Sequence, residues 1–493
     1  MTFCSGQFVL FFLVVFVLYY SLPKKYQWIL LLVSSYYFYM CWKPEFIVLI
    51  VITTLIHYFA SIEIEKATSQ KVKKVFLVFS ICSSLCILFF FKYFNFFGDN
   101  INHIFYGLSI PVNIPTLNII LPIGISFYTF QTMSYTIEVY RGNVAAEKHF
   151  GYFSLFVTYF PQLVAGPIER PQDLLPQIRK EHEFDYANVA YGARLMLLGF
   201  FKKLVVADSL GIFVDYVFNN ISAQTHGYAV FFTSFLFVLQ VYCDFSGYSE
   251  IARGCAKVMG VDLMVNFKSP CFFSHSIKEF WRRWHISLSS WFRDYLYIPL
   301  GGNRKGKIRK GVNLFIVFLM SGLWHGASWN FVIWGGLQSF YINIGDFVRR
   351  IIKRPNIINI PKMKKIQGFL EIIVTFTLSS FSFIFFRTST FSEAFCAIRC
   401  LFRDVFDITG FAKEFLEVFR NNLVGINKIE WVFIFGSLLA LFLYDYYSEK
   451  MDLVDKMNNI KPWGRVVVYV CILLAMAVLV PYNAKTGFMY FQF

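Results

Sequence analysis

Two of the eight histidines stand beside tryptophan, His285 in Trp284-His285 and His325 in Trp324-His325. A neutral imidazole accepts a proton at physiological pH, and burial lowers its pKa and keeps it neutral. His325 lies in Met320-Ser-Gly-Leu-Trp-His-Gly-Ala-Ser-Trp329, where Gly322 and Gly326 admit close backbone approach and Trp324 and Trp329 offer flat apolar walls. That setting suits a general base, a role typically worth ~10²–10⁴-fold in rate. It equally suits a histidine satisfied by a hydrogen bond inside a helix bundle. Asn330, the indole N–H of Trp324 or backbone amides are candidate donors to an oxyanion formed beside such a base.

His285 lies in a basic segment, Phe280-Trp-Arg-Arg-Trp-His-Ile-Ser-Leu-Ser289, with Arg282, Arg283 and Arg293 close by and Lys278 one turn earlier. On an uninterrupted helix Arg282, His285 and Ser289 share one face. Guanidinium groups bind phosphate in bidentate fashion, so this cluster suits a phosphorylated donor. Arg304, in Pro299-Leu-Gly-Gly-Asn-Arg304, with Lys305, Lys307, Arg309 and Lys310 behind it, extends the same chemistry. The alternative is plain membrane anchoring by snorkelling cations. A P-loop, a G-x-S-x-G elbow, an H-E-x-x-H pair and a dinucleotide fingerprint are all missing from the sequence. No metal site is expected, because the ten cysteines include no C-x-x-C and no zinc-spaced Cys/His group. Cys82/Cys86 and Cys396/Cys400 read as buried free thiols.

The elements that position these residues must be membrane helices. The chain is 57% hydrophobic and 15% charged over 493 residues, and its apolar residues come in blocks of about 20. Its formal charge of +16 falls between those blocks, as membrane topology demands, so nucleic acid is not implied. Spans are expected at 7–22, 27–42, 46–60, 74–97, 119–138, 369–386, 430–447 and 465–481. Lys24-Lys25 and the 61–74 loop are basic, whereas 98–118 has no Lys or Arg, which puts the N-terminus outside and 98–118 external. The chain is expected to end outside with Phe488-Met-Tyr-Phe-Gln-Phe493. It reads as one integral membrane domain over 1–493, with N-terminal spans to 148, a motif-bearing core over 149–345 and C-terminal spans over 346–493.

Inside the core, Phe160-Pro-Gln-Leu-Val-Ala-Gly-Pro-Ile-Glu-Arg-Pro171 breaks an apolar run with three prolines and predicts a re-entrant element. Residues 268–310 hold ten Lys/Arg against two acids and 349–365 hold seven with none, so both are expected on the cytoplasmic side. The 35 residues of Gly311–Gly345 fall short of the ~40 that two spans need, which predicts a partial hairpin with His325 near its apex. Residues 387–430 carry balanced charge and predict external amphipathic helices. Asp244 and Glu250, in or beside a span, are open to a functional or a hydrogen-bonded structural role.

Taken together, Phe160–Ile168, Tyr242-Cys-Asp-Phe-Ser-Gly-Tyr-Ser249, Phe280–Ser289, Leu296-Tyr-Ile-Pro-Leu-Gly-Gly-Asn-Arg304 and Gly322-Leu-Trp-His-Gly-Ala-Ser-Trp329 resemble motifs of the membrane-bound O-acyltransferase family. The likeness is to the branch of alginate O-acetylation and peptidoglycan O-acetyltransferase membrane components, and Leu-Gly-Gly-Asn-Arg looks less like the D-alanyl transfer protein of teichoic acids. The resemblance implies an all-α polytopic fold, a ring of about 10–12 helices with re-entrant elements around a funnel and thin central partition. It implies His325 as the catalytic histidine and His285 as the second motif histidine. No bound cofactor is implied; acetyl-CoA serves as cytoplasmic donor substrate. The expected partners are an extracytoplasmic SGNH, serine-esterase-like transferase, a polysaccharide acceptor and membrane lipids, in a bacterial inner membrane. One departure stands out: Gln338 occupies the place where relatives often have His after Trp334-Gly. A rival from another class is a proton-coupled transporter or lipid flippase using Asp244, Glu250 and the two histidines.

Overall fold

The computed structural model describes all residues except 165, 352–360, 405–406, 422–427, 480–487 and 489–493. The chain end predicted to lie outside therefore falls, apart from Phe488, beyond the described residues, as does the middle of the basic 349–365 segment. The helices run α1 (Gly6–Ser21), α2 (Gln27–Met40), α3 (Ile47–Lys66), α4 (Gln70–Leu88), α5 (Phe94–Gly107), α6 (Ile125–Arg141), α7 (Phe150–Thr158) and α8 (Phe160–Leu163). Next come α9 (Pro171–Arg179), α10 (Tyr186–Phe200), α11 (Asp208–Asn219), α12 (Gly227–Val258), α13 (Ile277–Arg283), α14 (Ile286–Phe292), α15 (Gly306–His325) and α16 (Trp329–Ile351). The last are α17 (Pro361–Arg387), α18 (Phe391–Asp404), α19 (Ile408–Asn421), α20 (Lys428–Ser448), α21 (Leu453–Lys456) and α22 (Pro462–Leu479). No strand occurs among the described residues.

Among the described residues six helical stretches are long and apolar enough to cross a bilayer: Pro44–Lys66, Gln70–Gly107, Gly227–Val258, Lys364–Arg387, Glu430–Ser448 and Pro462–Leu479. Gly6–Ser21 is apolar but shorter, and α15 and α16 are not among the six. In α12 83% of the apolar stretch is buried within the protein, against 6% in α22, so α12 is an interior helix and α22 a lipid-facing one. Exposed Val466, Val467, Val470, Leu473, Leu474 and Val478 give α22 the apolar outer face that lipid tails require. The chain is a multi-pass, all-α membrane protein.

The helices form two compact units, one of Met1–Met196 with Ser249–Met264, the other of Leu197–Tyr248 with Val265–Phe493. In the first, α4 and α5 make one helical run over 70–107 through a π-turn at Phe89–Tyr93. Part of the expected 98–118 loop is thus helical, because Phe94, Phe97, Ile101 and Ile104 recur at helical spacing. The predicted re-entrant stretch breaks at Tyr159 after α7, resumes for the four residues of α8, and stays buried from Phe160 to Val164 and from Gly166 to Pro171. Such broken backbone is tolerated at membrane depth only inside protein. Cys82 and Cys86 are exposed on α4, not buried, because they lie on its outer apolar face; Cys400 is buried.

In the second unit the hairpin α15–α16 exceeds its predicted length. Its arms have 20 and 23 residues, about 30 and 35 Å at 1.5 Å per residue, because helix continues through the basic feet at both ends. Glycines let the arms touch backbone to backbone. A Cβ on Gly322 would stand 2.2 Å from the Phe331 carbonyl oxygen, and one on Gly335 2.1 Å from that of Phe318. At the feet Lys310 pairs with Asp346. The predicted amphipathic pair over 387–430 is present as α18 and α19.

Candidate active site

His325 is the last residue of α15, and the hairpin turns immediately after it at Gly326–Ser328. The turn requires glycine, since a Cβ on Gly326 would meet the Phe331 ring at 2.1 Å. The imidazole is buried among rings: Trp324 at 5.2 Å between centroids, Trp334 at 5.1 Å and Phe386 at 5.3 Å, all edge-on. His285 comes within 6.4 Å of it, and Trp324 lies 5.9 Å from His285. The two tryptophan-flanked histidines, 40 residues apart in sequence, thus lie side by side.

His285 is not where a continuous helix would put it. The chain breaks between α13 and α14, and His285 takes the left-handed conformation (φ 44°, ψ 55°) as the residue preceding α14. The predicted common face of Arg282, His285 and Ser289 is therefore lost. The imidazole turns inward, 1% exposed, against Phe245 at 4.6 Å. Burial pushes its pKa well below the usual histidine range, which keeps it neutral.

One turn along α15 from His325, at Ser321, begins the wall of a cavity of about 560 Å³. Lys310, Leu314, Val317 and Ser321 line it at helical spacing, and the same face of α15 continues one turn further to His325. Lys278, Arg282 and Arg293 also line it, so that, with Lys310, four basic side chains face one carboxylate, Asp346. Its inner wall includes Trp281, whose indole donates to Gln338 Oε1 at 3.1 Å and packs edge-on against Trp334 at 5.7 Å. Gln338 in turn donates to Ser382 Oγ at 2.7 Å, so the residue that departs from the expected histidine locks α13, α16 and α17 together.

The basic residues separate by role. Arg282 faces the cavity, but Arg283 bridges Glu279 (2.9 Å) and Glu449 (2.8 Å) and has left the predicted donor cluster for structural work. Arg293 reaches the cavity while holding Asp294 at 2.7 Å. Arg304 is exposed and is not part of the cavity wall, whereas Asn303, also exposed, borders the cavity after the turn at Gly301 and Gly302, both at positive φ. That turn is pinned by buried Asn313, whose amide donates to the Gly302 carbonyl at 2.8 Å. Asn330 spends its amide donors on the Thr388 carbonyl (2.8 Å) and hydroxyl (3.2 Å), which leaves it tying α16 to the end of α17 rather than donating to an oxyanion. Trp324 remains beside both imidazoles.

Sequence reasoning missed three features. Asn266 holds His285 through Nδ1 at 3.1 Å. Trp334 and Phe386 complete the box around His325. Buried Lys203 bridges Asp244 (2.6 Å) and Asp208 (2.7 Å), giving Asp244 an ion-paired structural place, while Glu250 belongs to the other unit. Lys202-Lys203 inside the apolar run Phe200–Val206 was the available signal, since a lysine buried there needs a carboxylate.

Known proteins share much of this sequence. Residues 144–388 match the profile of MBOAT, the membrane-bound O-acyltransferase family. The probable alginate O-acetylase AlgI of Pseudomonas syringae pv. tomato is 37% identical over 91% of this chain and 83% of its own. The peptidoglycan O-acetyltransferase of Helicobacter pylori is 29% identical over 94% of this chain and 91% of its own. The teichoic acid D-alanyltransferase of Bacillus subtilis is 28% identical over 56% of this chain and 71% of its own. With His325 and His285 brought together above a basic cavity, the chain belongs to the membrane-bound O-acyltransferase family and is an O-acyltransferase.

Proposed function

We propose that this protein transfers an acetyl group from acetyl-CoA, entering from the cytoplasm, to a hydroxyl arriving from the other side, for O-acetylation of a cell-surface polysaccharide of alginate or peptidoglycan type. The observation that carries the proposal is the single face of α15 that lines the basic cavity and ends at His325. Arg282, Lys278 and Arg293 suit the phosphates of the donor, and the apolar wall of Leu314, Val317 and Phe318 suits its pantetheine arm. Two indoles in succession, Trp281 and Trp334, stand between the cavity wall and His325, which favours a short acyl group over a long one. The relatives named for acetyl transfer support the same choice.

In this reading His325 takes the proton from the acceptor O–H as the oxygen attacks the thioester carbonyl. The C–S bond breaks, the proton passes to the departing thiolate, and CoA returns to the cytoplasm while the acetyl ester leaves on the far side. Proximity at one narrow point supplies much of the rate. An extracytoplasmic serine-esterase-like protein is the proposed next carrier in a bacterial inner membrane with both chain ends outside.

Sealed vesicles holding the protein in known orientation test this. Acetyl-CoA presented at the face bearing Lys307 should yield free thiol on that face, and acetate or acetyl ester on the opposite one. Turnover only from the face bearing Asn113 would reverse the proposal.

A further inference from the structure

We infer that Asn266 is a positioning residue for the acyl-transfer site: it fixes the tautomer and direction of His285, so that His285 works through a proton-accepting Nε2. This rests on the reading of the His285–His325 pocket as the place of transfer.

Four hydrogen bonds join Asn266 to the turn that carries His285. Its Oδ1 receives the Ser287 backbone N–H (3.3 Å), the Ser287 hydroxyl (3.0 Å) and the His285 Nδ1 (3.1 Å), while its backbone carbonyl receives the Ile286 N–H (2.9 Å). Asn266, His285 and Ser287 are each at most 1% exposed. A backbone N–H can only donate, so the side-chain atom facing Ser287 N must be the amide oxygen and not the NH₂ group. An amide oxygen can only accept, so the His285 Nδ1 facing it must carry the proton. The neutral ring then has its lone pair on Nε2, at the opposite edge.

The backbone supports the same conclusion. A histidine at positive φ is an uncommon, costly conformation that persists where its surroundings hold it. Here the bonds from Asn266 to residues 285–287 hold it, and the result is a ring seated 6.4 Å from His325 and 5.9 Å from Trp324. A residue needed only to join two short helices would need neither the buried amide nor the turned imidazole.

The test uses the full-length protein in detergent or nanodiscs, labelled with ¹⁵N histidine, with the His285 signals assigned by their loss in His285→Gln. Wild type should show a protonated Nδ1 and a pyridine-type Nε2 at pH 7, and Asn266→Leu should lose that pure signature. This readout does not depend on which donor the enzyme uses. Acetyl-CoA turnover forms the second arm: Asn266→Ala should lower kcat ~10–100-fold, less than loss of a base, with KM for acetyl-CoA little changed. Asn266→Asp keeps an acceptor at Nδ1 but adds charge, so it should recover part of kcat and move the acidic limb of the pH profile upward, because a carboxylate favours the imidazolium. A wild-type His285 protonated at Nε2 overturns the inference outright. So does an Asn266→Asp variant that matches Asn266→Ala in rate with an unmoved pH profile. A correct tautomer in a protein that leaves acetyl-CoA intact would instead count against the proposed donor and leave the inference standing.

Discussion

His57 and His325 are both buried histidines on helices, yet they are opposite cases. His57, within α3, has Nδ1 at 2.7 Å from the Thr136 hydroxyl on α6 and Nε2 at 2.7 Å from the Ser84 hydroxyl on α4. Both ring nitrogens are used to fasten three helices. His325 stands at a helix end, ringed by Trp324, Trp334 and Phe386, with a second imidazole beside it and a cavity one turn below. Burial alone therefore does not mark a working histidine. What sets His325 apart is the combination of a chain turn, close backbone packing around glycine, and a cavity lined by the same helix face one turn away.

The comparison is broken most directly by exchanging the roles. His285→Ala should cut turnover ~10–100-fold with residual activity and a near-native melting temperature, whereas His57→Ala should do the reverse. Losing His57 removes two buried hydrogen bonds, with the Thr136 hydroxyl left only its 3.3 Å contact with the Ser61 hydroxyl, at roughly 1–3 kcal/mol each, so its cost appears as lowered thermal stability with normal turnover per folded molecule. A catalytic loss in His57→Ala at unchanged stability would remove the distinction.

The basic residues sharpen it at the next level. Arg282→Gln should raise KM for acetyl-CoA about tenfold with kcat nearly unchanged, as expected for lost ground-state binding. Arg283→Gln should leave KM alone and lower stability modestly, because it removes the bridge that joins Glu279 to Glu449. Steady-state kinetics and melting curves of the two variants separate the roles, and equal KM effects would argue for one shared phosphate cluster.

A smaller effect is expected at the wall between cavity and base. Gln338→Leu releases the Trp281 indole, and the ratio of kcat/KM for propionyl-CoA over acetyl-CoA should rise several-fold. One methylene in an apolar pocket is worth ~1–3 kcal/mol, which bounds the change. An unaltered ratio would mean that Trp281 does not limit the acyl group.

The smallest expected effect is on the pH dependence of stability. The folded protein holds His285 neutral well below the ordinary histidine pKa near 6.5, so below that pH the unfolded chain binds more protons. This share of stability is complete above about pH 6.5 and is lost as the pH falls. His285→Gln should flatten the slope of melting temperature below pH 6.5, and an unchanged slope would place protonation elsewhere.

Much of this was legible in the sequence, for physical reasons. Apolar blocks of span length identify themselves, so α1, α3, α20 and α22 fall close to their expected ranges. His325 at a hairpin apex followed from basic segments on both sides, although the arms proved longer because Lys307, Arg309 and Arg349 extend the helices instead of ending them. Tertiary geometry was not legible. The turn at His285 depends on Asn266, nineteen residues away, and reversed the expectation that this histidine stands among arginines at an interface. The division between Arg282 and Arg283 depends on Glu449, which no local spacing reveals. Asn330 looked like an oxyanion donor until Thr388, across the bundle on α17's end, claimed its amide.

In the proposed function His325 is the base that moves an acyl group off a CoA thioester. Release of free CoA thiol from acetyl-CoA, by wild type and His325→Ala at equal amounts of folded protein, tests it most directly. Wild type should release thiol steadily, and the variant should fall ~10²–10⁴-fold with an unchanged melting temperature. Thiol release by His325→Ala at the wild-type rate would contradict it.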